Sequence, residues 1–148
     1  MNTHPYVRAY IAGIAVPTLF LLVVLSAFIV FRLMLKVPIP IERVIPFPMA
    51  GVPNIFGLWN MLYLRVHPGR QWPIGLHGAI LPFLLAPTAA LVGSALGVIE
   101  LGPSEVLYFG VVHLPYGVLA VAVCVVAAIY YLVWKYFVNF FNGVVGIA

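Results

Sequence analysis

From Ala9 to Phe31 the chain runs for 23 residues without a charged side chain. At 1.5 Å per residue, a helix of that length crosses a hydrocarbon core of about 30 Å. The run is longer than the apolar core of a secretory signal, so it reads as a retained transmembrane helix over 9–31. Pro17 lies within it and leaves the carbonyl of Gly13 without its helical donor, which predicts a kink.

The rest of the chain tells the same story about solvent. Of its 148 residues, 65% are hydrophobic and 7% charged, with a mean hydropathy of +1.17. Soluble domains carry about 25% charged residues, so lipid must face much of this surface. The net charge of +4 comes from seven Lys+Arg against three Asp+Glu. The basic residues stand at the ends of apolar runs, where they meet lipid headgroups and bias orientation. No basic stripe suited to nucleic acid accompanies them, and none is expected as a partner. The single cysteine, Cys124, excludes a disulfide framework or a Cys-based zinc site within one chain.

After the first run come Arg32, Lys36, Glu42 and Arg43, in a segment broken by Pro38, Pro40, Pro46 and Pro48. That spacing favours a rigid extended connector over a helix. A short helix is expected at about 53–64, with Pro53 at its start. Its 12 residues reach only ~18 Å, so it would be interfacial, re-entrant, or half of a discontinuous span. Charge bias favours a segment that does not cross. Arg32, Lys36, Arg43, Arg65, Arg70 and Lys135 then share the inner side, leaving Arg8 outside with the N-terminus.

Two further spans are expected at about 74–98 and 106–134. Pro82 and Pro87 bend the first of these. Ala89, Gly93 and Gly97 line one of its faces with small residues, as in helix–helix packing. Ala120, Cys124 and Ala128 give the last span a similar face. Between the two, Glu100–Glu105 reads as a tight acidic turn, with Ser104 capping the helix that follows. Tyr130, Tyr131, Trp134, Lys135 and Tyr136 form an aromatic and basic belt at the far end. The apolar tail, 137–148, would lie along the interface or fold back on the protein. The expected fold is therefore an all-α integral membrane protein: a single polytopic domain of three transmembrane helices plus a short re-entrant or interfacial helix. Four transmembrane helices is the alternative.

Polar residues concentrate between Pro53 and Pro82. Asn54, Trp59, Asn60, Tyr63 and His77 are the candidate ligand-binding set. Asn60, Tyr63 and His67 follow one another at helical spacing on one face. Arg65, His67 and Arg70 form a basic cluster suited to a phosphate or lipid headgroup. An unpaired amide is costly in lipid, so Asn54 and Asn60 should face protein or a watery pocket. The plainer expectation is that they hold the short helix in place. His77 and His113, if both lie in an antiparallel hairpin of spans, sit ~20 Å apart in depth and cannot share a metal. Either alone has the chemistry of an axial ligand, but no metal or cofactor is expected.

Catalysis finds little footing. The chain contains no Asp, and Glu42, Glu100 and Glu105 all stand at the edges of apolar runs, whereas proton-coupled transport and intramembrane proteolysis commonly use buried acids. The expected function is that of a small non-enzymatic membrane protein, in a bacterial inner membrane. It would be a homo-oligomer or an accessory subunit packing against other membrane subunits. The alternative is a small transporter, channel-like protein, or lipid or quinone binder using the Asn54–His77 region.

Overall fold

The computed structural model describes residues 4–36, 47–70 and 72–147, with the backbone alone at 47–48 and 67–70. The proline-rich connector expected around Pro38–Pro46, with Glu42 and Arg43, falls outside the described residues. The described chain is mostly helical. It forms two compact units: residues 1–71 together with 136–148, and residues 72–135.

In the first unit, helix α1 spans Pro5–Leu33, with Pro5 in its first turn, where a missing N–H costs nothing. Pro17 is carried inside the helix and buried. Helix α2 spans Val52–Arg70, entered through a wide π-type turn at Phe47–Gly51. The chain after the second unit makes another π-type turn at Trp134–Val138 and ends in a short helix, Asn139–Val144. We call this α5, since α3 and α4 belong to the second unit.

Helix α2 runs antiparallel to the N-terminal half of α1. The pairing goes from Gly13 beside Phe56 and Gly57, through Ala9 beside Asn60, to Tyr6 beside Met61, Leu62 and Arg65. At the crossing the two backbones nearly touch. A Cβ on Gly13 would lie 2.6 Å from the Phe56 carbonyl oxygen and 2.8 Å from Gly57 Cα. Ala9, Ala12, Gly13 and Val16 are the buried face of α1, so the small residues that bring helices together here are Ala9 and Gly13, at the same four-residue spacing as Gly93 and Gly97.

The observed α2 has 19 residues, about 28 Å of helix, where the sequence suggested 12. It extends past Leu64 through Pro68 and Gly69. Its direction also revises the charge map. Arg65 lies at the Arg8 end of α1, not with Arg32 and Lys36, which are about 36 Å away along that helix. The charge bias that favoured an outside N-terminus rested on grouping Arg65 with Arg32, and it falls away.

In the second unit, helix α3 spans Ile74–Ala95 and helix α4 spans Tyr116–Val133. The start at Ile74 agrees with the sequence reading. The connection does not. In place of a tight turn and a helix from 106, residues 99–115 form a three-stranded antiparallel sheet: β1 Ile99–Leu101, β2 Glu105–Tyr108 and β3 Val112–Pro115. Ile99 pairs with Tyr108, and Leu107 with His113. The fold is therefore not all-α. The residues explain the sheet: Ile99, Val106, Tyr108 and Val112 favour strands, while Gly102-Pro103 and Phe109-Gly110 supply turns. Ser104 sits in the first of those turns, and its carbonyl accepts from the Tyr116 N–H at 3.3 Å.

Helix α3 closes in a Schellman motif. The Val98 N–H donates to the Gly93 carbonyl at 2.8 Å and the Gly97 N–H to Ser94 at 3.1 Å, with Gly97 at φ +66°. Gly97 thus ends the helix instead of extending a packing face. Gly93 receives the Ile99 side chain of β1, not a neighbouring helix.

Helices α3 and α4 meet through Gly75 against Tyr131 and Gly78 against Trp134. Leu81 and Trp134 are the largest fully buried side chains of this unit.

Two outcomes are expected. Gly78→Ala puts a methyl into the Trp134 ring and should destabilise the fold by about 1–3 kcal/mol, whereas Gly117→Ala, with open space around it, should be neutral or slightly stabilising. Thermal unfolding in detergent reads the difference. In a Cys124→Ala background, Tyr6→Cys and Arg65→Cys should react with a membrane-impermeant thiol reagent from one side and Lys36→Cys from the other; labelling of positions 6 and 65 from opposite sides would refute the antiparallel pairing.

Candidate functional site

The polar centre of the first unit is built where α1, α2 and α5 come together. Asn60, in the middle of α2, is 1% exposed and Asn142, on α5, is 3% exposed. Their amides bond reciprocally: Asn60 Nδ2 donates to Asn142 Oδ1 at 2.7 Å, and Asn142 Nδ2 donates to Asn60 Oδ1 at 3.2 Å. Asn60 Nδ2 also donates to the Ala9 carbonyl of α1 at 2.8 Å. One side chain therefore ties three helices.

Two further contacts extend this arrangement along α1. Tyr10 donates its hydroxyl to Asn54 Oδ1, and Asn54 Nδ2 donates to the Ala50 carbonyl at 2.6 Å. Tyr10 also lies flat against Gly57, where a Cβ would strike its ring. At the other end Arg8 Nη1 donates to the Val145 carbonyl at 3.0 Å. This places a cation on the orphan carbonyls at the C-terminus of α5, where the helix dipole is negative. Hydroxyls within the long helices fold back on their own backbones: Thr18 on Ile14, Ser26 on Leu22 and Thr88 on Leu84, at 2.7–2.8 Å.

The candidates read from sequence are thus divided. Asn54 and Asn60 lie in the first unit and make structural bonds. Trp59 and Tyr63 are half-buried on α2. His67 and Arg70 belong to the last turns of α2, and their side chains fall outside the described residues. Arg65 is exposed beside Tyr6. His77 belongs to the second unit, 6% exposed, with its ring edge-on to Trp134 at a centroid distance of 5.8 Å. His113 is not in a helix: it stands on β3, exposed, with Nδ1 2.8 Å from Glu105 Oε1 on β2. Ala89 is half-buried on α3. Ala120, Cys124 and Ala128 are exposed on α4, while Ala127 and, just past the helix end, Trp134 are buried.

Asn142, Tyr10 and Arg8 are the residues that sequence reasoning missed. A signal existed for Asn142. An amide in an apolar tail needs a partner, and Asn60 was one of the two amides already expected to need one.

Comparison with known proteins finds no match among family models, curated proteins or solved structures. The class is therefore defined by the chain itself. Among the described residues, three helical segments are long and apolar enough to cross a membrane: Pro5–Leu33, Ile74–Ala95 and Tyr116–Val144, the last being α4, the π-type turn and α5 taken together. Helix α2, with Arg65 and Arg70, is not among them.

Removing one partner of the amide pair should cost more than removing both. Asn60→Leu leaves a buried Asn142 amide unsatisfied and should lower stability by about 1–3 kcal/mol, with part of that loss recovered in Asn60→Leu/Asn142→Leu. Denaturant or thermal unfolding of the single and double variants checks this.

Proposed function

We propose that this chain is a small, non-enzymatic integral membrane protein that serves as a structural or accessory subunit, either as a homo-oligomer or within a larger membrane assembly. The observation that carries this reading is the exposed run of small residues on α4. Ala127, and Trp134 just past the end of α4, are buried within the second unit, while Ala120, Cys124 and Ala128 are exposed. Small residues at four-residue spacing let a second helix approach closely in lipid, where dispersion and close backbone contact drive association. The polar groups of the first unit support the same reading, because Asn60, Asn142, Asn54 and Arg8 are engaged in joining helices. A transporter, channel-like or quinone-binding role for the Asn54–His77 region draws no comparable support from these bonds. A bacterial inner membrane is the location we propose.

Cys124 provides the test, being the only cysteine and exposed. In membranes, mild oxidation should join copies through Cys124 into a species of twice the 16.2 kDa chain, absent in Cys124→Ser and reduced in Ala120→Leu/Ala128→Leu. Should the chain instead be assembled with other subunits, those two leucines should strip them during purification. A monomer that neither cross-links nor carries a partner would refute the proposal.

A further inference from the structure

Near the N-terminal end of α1, α1 and α2 leave an open groove of about 430 Å³, lined by Tyr6, Leu58, Met61, Leu62 and Arg65. Its floor is a single stripe of α2. Leu58, Met61, Leu62 and Arg65 stand at i, i+3, i+4 and i+7, so they share one face. The stripe is polar at one end only. Leu58 is 58% exposed and Leu62 40% exposed, and about 10 Å further along the axis the face ends in the Arg65 guanidinium. Arg65 is exposed and, among the described residues, makes no hydrogen bond or ion pair. That sets it apart from Arg8, whose Nη1 donates to the Val145 carbonyl. Tyr6 walls the groove from α1 and brings a phenol to the same end.

We propose that this groove binds a phospholipid with an anionic headgroup, its acyl chain along Leu58, Met61 and Leu62 and its phosphate at Arg65. The order of groups matches a lipid lying parallel to α1: apolar wall towards the middle of that helix, cation and phenol at its end. A guanidinium meets phosphate with two parallel N–H donors, and a basic side chain at the interface favours anionic over zwitterionic headgroups. The shared chemistry with free phosphate is the oxyanion; the apolar stripe assigns the site to the lipid. The groove shares no residue with the Ala120, Cys124 and Ala128 face, so this proposal and the subunit reading fail independently.

The test uses the full chain, delipidated in detergent, with bound lipid counted by native mass spectrometry. Dioleoyl phosphatidylglycerol should be retained roughly tenfold more than dioleoyl phosphatidylcholine, as one charge-assisted contact implies. Arg65→Gln should abolish that preference, Arg65→Lys should keep most of it, and Leu58→Trp, which fills the apolar part of the groove, should reduce retention of both lipids. Because Arg65 is exposed and makes no internal bond, Arg65→Gln should keep the helical circular dichroism of the parent. Equal retention of the two lipids, or a preference unchanged in Arg65→Gln, would overturn the site. Displacement of phosphatidylglycerol by equimolar inorganic phosphate would overturn its assignment to a lipid.

Discussion

The reciprocal amide pair of Asn60 and Asn142 is the constraint on which the arrangement of the first unit depends. An amide buried in an apolar surrounding costs several kcal/mol unless it is bonded. Each of these two amides satisfies the other, and Asn60 has a donor left for the Ala9 carbonyl. A rotation of α2 by one residue would swing Asn60 out of reach of both partners. The pair therefore fixes the azimuth of α2, the depth at which it meets α1, and the position of α5. The close approach of Gly13 and Gly57 follows from that geometry: with the helices set by the amides, only a residue without a side chain fits at the crossing.

The same geometry explains why charge counting misplaced Arg65. Orientation rules treat a chain as a series of complete crossings separated by loops, and they locate each basic residue by the loop it occupies. Helix α2 pairs with only the N-terminal half of α1 and runs back towards the start of that helix. Arg65 therefore arrives beside Tyr6 whatever path the preceding residues take. A positional fact of this kind depends on a contact between residues about 50 apart in sequence, and composition carries no trace of it.

Legibility followed the range of the interaction. The apolar runs that became α1 and α3 were plain, because length and hydropathy are local properties; α3 begins at Ile74 as expected. The sheet at 99–115 was also locally encoded, in two Gly-containing turns flanked by β-branched and aromatic residues, but the apolar background made Val106 onwards look like the start of a span. Gly93 and Gly97 show the opposite failure. Their spacing is that of a packing motif, yet Gly97 adopts a left-handed backbone and terminates the helix, and spacing cannot distinguish the two uses of glycine. The candidate site was half legible. Asn60 was expected to face protein or a watery pocket, and it is buried against protein, while its partner Asn142 lay 82 positions away and required the fold to find it.

These contacts bear on what the surface has left to offer. In the first unit Asn60 and Asn142 bond each other, Asn54 bonds Tyr10 and the π-type turn before its helix, and Arg8 bonds the end of α5 through Nη1. A site that handles a polar solute needs donors and acceptors free to exchange partners, and the amides of Asn54, Asn60 and Asn142 are engaged in joining helices and turns. Arg65 is different in kind: a cation at the end of an apolar stripe, open to the outside and bonded to nothing among the described residues. In lipid, a molecule that is apolar along most of its length and anionic at one end is also the commonest neighbour such a stripe meets. The bonds around Asn60 are structural, and the proposed lipid site therefore rests on the exposed stripe of α2 that ends in Arg65.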